Sequence, residues 1–202
     1  MRRVYEGADI QTGATPAVPG MRDRIQAFNW AQHPFGPRET WHPALATTLG
    51  ICLNSSFPTA IYWGADLRLL YNDAWSVIPA ERHPWALGRP AHEVWDDIWH
   101  IVGPQLREVR APARGLSAYD QLLPMHRGGA VRETYWNYSM TPIQDEKGNV
   151  LGIFNQGNET TAVVQAARAR AHESKRLRET FAQAPGAIAV LRGPQHRFEV
   201  AN

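Results

Sequence analysis

Trp136, Tyr138 and Met140 alternate with Asn137, Ser139 and Thr141, the period of a strand with one buried face. Large rings spaced two apart on a strand make a wall for a planar or apolar molecule, or a packed core; they do not make a catalytic centre. The groups able to do covalent or metal chemistry are sparse. Cys52 is the single cysteine, which excludes an internal disulfide and a cysteine-built metal site. His92 and His100 stand eight residues apart, too far for a close helical metal pair, so no metal site is expected. There is no Gly-x-x-x-x-Gly-Lys loop, no nucleophile elbow and no His-Glu-x-x-His, so no catalytic residue is assigned and the chain is not expected to be an enzyme.

The 202 residues are 44% hydrophobic and 20% charged with a net charge of +2, the balance of a chain with a packed core and no dominant charge. Basic residues are scattered apart from a cluster late in the chain, which argues against a nucleic-acid partner. No apolar run approaches the ~20 residues of a membrane span. Met1-Arg2-Arg3 leads to Glu6 and Asp9, not to the apolar core of a signal peptide. Together with the lone cysteine, this predicts a cytoplasmic protein without a membrane partner.

The elements that must position the rings follow in order. Residues 1–23 lack periodicity and are expected to form a mobile leader, with order from about Arg24. In 24–54 the breakers Pro34, Gly36 and Pro37 precede a helix predicted over Ala44 to Leu53, capped by Thr40, with Leu45, Leu49 and Cys52 or Leu53 on one face. Phe57 to Trp63 reads as a strand, Gly64-Ala65-Asp66 as a turn and Leu67 to Tyr71 as the returning strand. Asn72 and Asp73 are placed to cap a short helix that Pro79 halts. Val94, Trp95, Ile98, Trp99 and Val102 recur at helical spacing within Ala91 to Val109, which Gly103-Pro104 is expected to divide. Leu116 to Met125 is strand-like with ambiguous facing, His126 to Gly129 a hairpin turn, and Val131 opens a long strand. Asp145 to Asn149 turns it into Val150 to Phe154. Two strands, short helices and three strands predict an α+β domain: an antiparallel sheet with helices on one face.

This order resembles a PAS domain, the small sensor module of bacterial signalling proteins. The resemblance rests on the strand, Gly64-Ala65-Asp66 turn, strand and Asn72-Asp73-Ala74-Trp75; on Leu87-Gly88-Arg89-Pro90; and on Met140-Thr141-Pro142-Ile143, Asp145-Glu146-Lys147-Gly148 and Gly152-Ile153-Phe154. It covers residues 55–161. Phe35-Gly36-Pro37 and Thr40-Trp41 are similar to the lead-in of PAS domains at the N-terminus of multi-PAS sensor histidine kinases. The resemblance implies a five-stranded antiparallel sheet with short helices on one face, an N-terminal helical lead-in and a C-terminal signalling helix.

It also implies a pocket. Ile61 and Trp63 from the first strand, Trp136, Tyr138 and Met140, and Phe154 on the last strand are expected on the concave face. Trp95, Ile98 and Trp99 are expected to close it, with Asn72, Gln121 or Tyr138 as polar donors. The occupant is unknown: none, or a small planar or apolar ligand, leads, with flavin or haem open beside it. Adduct photochemistry of the LOV type is excluded, because no cysteine lies on the central helix and Phe154 replaces the expected glutamine. A haem would need His92 or His100 as its axial ligand.

Glu159-Thr160-Thr161 stands at the signal exit, where the resemblance implies an acidic residue, usually Asp, followed by Thr, so Glu159 is a mild departure; a carboxylate and hydroxyl there are expected to cap the next helix. Over 162–180 the positions Val163, Ala167, Arg170, Ser174, Leu177 and Phe181 follow a heptad seam with a weak middle, which predicts a homodimer through flanking helices. His172-Glu173 resembles the start of a kinase phosphoacceptor sequence, but Ser174-Lys175-Arg176 departs from it. Residues 181–202 look like the first hairpin of a second, truncated PAS domain. The resemblance thus implies a sensory input module with a downstream output domain; a cofactor-free structural dimerisation module, and a flavin- or haem-binding light, redox or gas sensor, are its alternatives.

Overall fold

A computed structural model describes residues 19–183, 186, 189–192 and 197–201. The first eighteen residues of the expected leader lie outside them. Order is in place three residues before Arg24. Helix α1 (Met21–Ala27) buries Met21 and Ile25, and its first N–H is donated to the Asp73 carboxylate at 2.7 Å. Trp30, in a 3-10 turn, donates its indole N–H to the Ile25 carbonyl at 2.7 Å and is enclosed by Phe28, His33, Phe35 and Trp41. This aromatic knot joins the lead-in to the single hydrophobic core it shares with the sheet.

Helix α2 (Pro43–Asn54) starts at proline in its first turn, where the missing N–H costs nothing. Its cap is His42, whose Nδ1 accepts from Ala44 N at 3.1 Å. Thr40 does not cap it: a 3-10 turn over Arg38–Thr40 intervenes, and the Thr40 hydroxyl donates to the Pro37 carbonyl. Leu45, Leu49 and Cys52 are buried as the spacing predicts.

Strands β1 (Thr59–Trp63) and β2 (Arg68–Tyr71) pair antiparallel across the Gly64 turn. Asn72 then caps a 3-10 turn, not an α-helix, by accepting from Trp75 N at 2.9 Å. The central helical stretch divides earlier than expected. Helix α3 (Ala91–Val94) stops at Trp95, and α4 (Trp99–Arg110) carries Pro104 within it. The carboxylates of Asp96 and Asp97 accept the backbone N–H groups of Asp97 and Ile98, competing with helix continuation there. Pro104, in the second turn of α4, lacks the N–H that would bond the His100 carbonyl, and the helix continues through it without that bond.

Strands β3 (Leu116–Arg127), β4 (Ala130–Gln144) and β5 (Val150–Glu159) complete a five-stranded antiparallel sheet of order β2-β1-β5-β4-β3. A bulge between Ala118 and Gln121 interrupts the β3 pairing, with Asp120 at φ 46°, which explains why no alternation was legible there. Helix α5 (Thr161–Ala182) leaves the end of β5 with no buried residue. A separate antiparallel pair, β6 (Ala189–Arg192) and β7 (Arg197–Ala201), follows. Among the described residues, no helix is long and apolar enough to cross a membrane.

Candidate functional site

Strand alternation carries Trp136, Tyr138 and Met140 to one face of β4, where they line a cavity of about 50 Å³. Trp95 and Ile98 line it from the segment between α3 and α4. Ile61, Trp63 and Phe154 do not reach it. Tyr62 takes the expected place of its two neighbours, and Asn155 and Gly157 take that of Phe154. The correction is a register shift of one residue on both strands. Ile61 pairs with Phe154 on the opposite face, and Trp63 shares a recess there with Trp41 and Leu45 of the lead-in, its ring centroid 6.3 Å from that of His42. Since Thr59 to Tyr62 are all buried, composition alone could not say which set faced which way.

Three further expected residues also stand apart. Asn72 is buried as a structural hub: its carbonyl oxygen accepts from Thr59 N and Trp75 N, and its amide donates to the Ser55 and Phe57 carbonyls. All its capacity is used, so it has none for a ligand. Trp99 packs on Gly103, where a Cβ would meet its ring at 2.8 Å. Gln121, opposite Trp136 but beyond the bulge, donates to the Leu122 carbonyl.

The cavity wall is held by polar bonds within the protein. Trp95 donates its indole N–H to the Tyr62 hydroxyl at 3.1 Å, and Trp136 donates to Thr134 Oγ1 at 2.7 Å. Tyr138 donates its hydroxyl to Gln105 Oε1 at 2.6 Å. Burial raises both tyrosine pKa values, so each hydroxyl stays protonated at neutral pH. Asn155 donates its amide to the Ser139 carbonyl, while its oxygen accepts no hydrogen bond among the described residues. Asn155 joins Tyr62 and Tyr138 as the residues of the lining that carry polar side-chain groups besides the indoles.

Leu123 and Met125 line the cavity beyond the bulge, and Trp75, Ile78 and Val102 close it. Val102 was legible from its spacing to Ile98; Asn155 and Gly157 were detectable only by pairing them with Met140 and Tyr138. At Gly157 a Cβ would lie 2.7 Å from the Asn137 carbonyl oxygen and from Tyr138 Cβ, so only glycine fits beside the wall.

Small-molecule sites typically span ~300–1,000 Å³, and the cavity of about 50 Å³ as packed does not fit a flavin or a haem. It has room for small molecules of about the size of water. His92 and His100 are both exposed and neither lines it, so an axial ligand is not at hand. Cys52 lies elsewhere too, buried in α2 with its thiol on the Thr59 carbonyl, and burial pushes its pKa up to about 12.

The exit residues sit on the cavity side of the sheet's end. Glu159, opposite Trp136 in the β4–β5 pairing, accepts from Arg127 Nη1 at 2.8 Å and from the Thr161 hydroxyl at 2.6 Å. The Arg127 guanidinium lies 5.5 Å from the Trp136 ring centroid. Thr161 Oγ1 in turn accepts from Tyr135 N, Thr160 N donates to the Tyr135 carbonyl at 2.7 Å, and the Thr160 hydroxyl donates to Asp120. None of the three side chains caps α5. Strand β4 and the β3 bulge offer nearer partners, so the residues fasten the helix start to the sheet.

No family model matches the chain, and no curated protein sequence matches it. Solved structures do. The PAS domain from Bordetella pertussis BvgS aligns at 18% identity and a TM-score of 0.46, over 67% of this chain and 98% of that one. A sensory box sensor histidine kinase from Vibrio cholerae aligns at 15% identity and a TM-score of 0.38, over 57% of this chain and 86% of that one. An RNA-binding light-oxygen-voltage receptor aligns at 15% identity and a TM-score of 0.44 over 68% of this chain; only 41% of that receptor's length is spanned. A five-stranded antiparallel sheet with several short helices, a helical lead-in and a helix leaving the last strand give the chain a PAS-like α+β fold.

Proposed function

We propose that residues 55–161 are the sensory input module of a signal-transduction protein, and that the state of the cavity is passed to α5 through Arg127 and Glu159. The observation that carries this is the contact series from Trp136 in the cavity wall to Arg127, Glu159 and Thr161 at the start of α5. A ligand that displaces the Trp136 ring changes the environment of Arg127, whose Nε is buried without a hydrogen-bond partner among the described residues. In this reading the guanidinium takes a second arrangement when the ring moves, and a ligand that binds one arrangement better shifts the population. The ligand class is small and apolar with one polar contact, at Asn155.

In this reading the parent is a cytoplasmic sensor histidine kinase, the segment 162–180 pairs with a second copy, and 181–202 opens a second PAS domain. The antiparallel β6–β7 pair supports the last point, and the exposure of Val163 and Leu177 along α5 supports the pairing. A structural dimerisation module with a filled core is the second reading, favoured by the small cavity and by indoles whose N–H groups are already bonded. An absorption spectrum and mass spectrometry of an extract of the purified protein separate the two. A small apolar molecule co-purifying with the wild type but not with Gly157→Val supports sensing; a flavin or haem band would overturn the small-ligand assignment. Nothing extracted, with unchanged α5 hydrogen exchange in Trp136→Phe, would leave the structural module.

A further inference from the structure

A second recess, of about 770 Å³, lies where the lead-in meets the β2 edge of the sheet. Its volume falls within the ~300–1,000 Å³ of small-molecule sites. Arg24 of α1, Arg68 of β2 and Arg89 line it against a single carboxylate, Asp23. Arg24 donates only its Nε, to the Pro19 carbonyl, so its two terminal nitrogens hold no hydrogen bond among the described residues. Arg89 is half exposed, with a long 3.7 Å pairing to Glu93, and its guanidinium stands 5.0 Å from the Trp85 ring centroid. Trp85 itself is 46% exposed, while the other seven tryptophans are buried or part-buried.

The floor is rigid where the walls are open. His33 donates from Nε2 to the Gly88 carbonyl and accepts at Nδ1 from Phe35 N, a pair of bonds that requires the neutral tautomer. Gly88 is at φ +75°, and a Cβ there would meet His33 Nε2 at 2.8 Å. Arg68 is spent on the Gly88 carbonyl and Asp66, so it contributes field more than contact.

We propose that this recess binds a planar organic anion, an aromatic ring carrying a phosphate or carboxylate, which stacks on Trp85 while Arg24 and Arg89 hold its charge. Guanidinium pairs suit both anionic groups, and the neighbouring indole supplies the face a ring requires. Bound there, the anion joins α1 to the Pro84–Arg89 segment. The site is independent of the cavity reading and holds whether or not the cavity takes a ligand.

Calorimetry on the full chain tests it with adenosine 5′-monophosphate and indole-3-acetate as probes; the tighter of the two tells phosphate from carboxylate. Adenosine, without the charge, and ribose 5-phosphate, without the ring, are each expected to bind about tenfold more weakly than adenosine monophosphate. Affinity should fall as salt rises. Arg24→Ala and Trp85→Ala should each cost about tenfold, with Trp85→Phe restoring most of the loss and circular dichroism unchanged. Absence of heat from both charged probes at millimolar concentration would overturn the proposal. So would equal binding in the wild type and the Arg24→Ala/Trp85→Ala double variant.

Discussion

Around β1 and β5 the sheet is covered on both faces, and the two burials differ in kind. On the concave face Trp75, Trp95 and Trp136 surround a small cavity, and the indole N–H groups of Trp95 and Trp136 end on hydroxyls inside the domain. On the other face Ile61, Trp63 and Phe154 meet the lead-in, where Trp30 and Trp41 donate to the carbonyls of Ile25 and Gly36. The first arrangement leaves a small hollow beneath its rings; the second packs ring on ring and leaves its larger recesses beside the lead-in. A sheet covered on one side by its own chain ahead of the first strand can afford a hollow on the other.

The largest expected effects test whether both faces bear load. Trp136→Ala should cost about 3–5 kcal/mol in urea denaturation and Leu49→Ala about 2–5 kcal/mol. If Leu49→Ala is neutral while Trp136→Ala is not, the lead-in is an accessory and the comparison fails. Phe154→Ala should fall below about 3 kcal/mol, because Phe154 is only partly buried and lies outside the cavity. It should also leave any ligand extracted from the cavity unchanged, a combination that places the residue on the lead-in side. Arg127→Ala should cost only about 1 kcal/mol, since its pair with Glu159 is part-exposed, yet speed hydrogen exchange at Thr160 and in the first turn of α5. A loss confined to global stability would sever the proposed exit.

The weakest effect is a pH slope that should belong to the lead-in seam. Desolvation first, then Arg68 and Arg89, hold His33 below its ordinary pKa; desolvation and Arg24 do the same for His83. The unfolded chain therefore takes up these protons first. The stability they contribute is fully present above about pH 6.5 and is lost as pH falls through it towards the lowered folded values. Melting temperature should decline between pH 7 and 5, with His33→Gln flattening the slope. No histidine or carboxylate lines the cavity, so a slope unchanged in both His33→Gln and His83→Gln would place the titration in neither region.

The β4 wall was legible because Trp136, Tyr138 and Met140 alternate with residues of opposite polarity, so period and register are given together. In β1 and β5 they separate. Thr59 to Tyr62 and Val150 to Phe154 offer apolar side chains to both faces, and a continuous apolar run carries the strand but not its facing. The lead-in covering the second face is what removes the alternation. The exit was legible as a position but not as a set of bonds, because Asp120 becomes a partner of Thr160 only through a bulge that no composition marks. The cap of α2 moved from Thr40 to His42 for a similar local reason, a 3-10 turn between them.

The fastening of α5 at its first residues has a mechanical corollary. Thr160 and Thr161 bond both backbone groups of Tyr135, the residue beside Trp136, so the helix root is tied to that one residue of β4 through the peptide on each side of it. A helix of 22 residues reaches about 33 Å, and a tilt of about 5° at the root sweeps its far end through roughly 3 Å. A displacement at the root too slight to widen the sheet would thereby reach the distal end enlarged by the length of the lever.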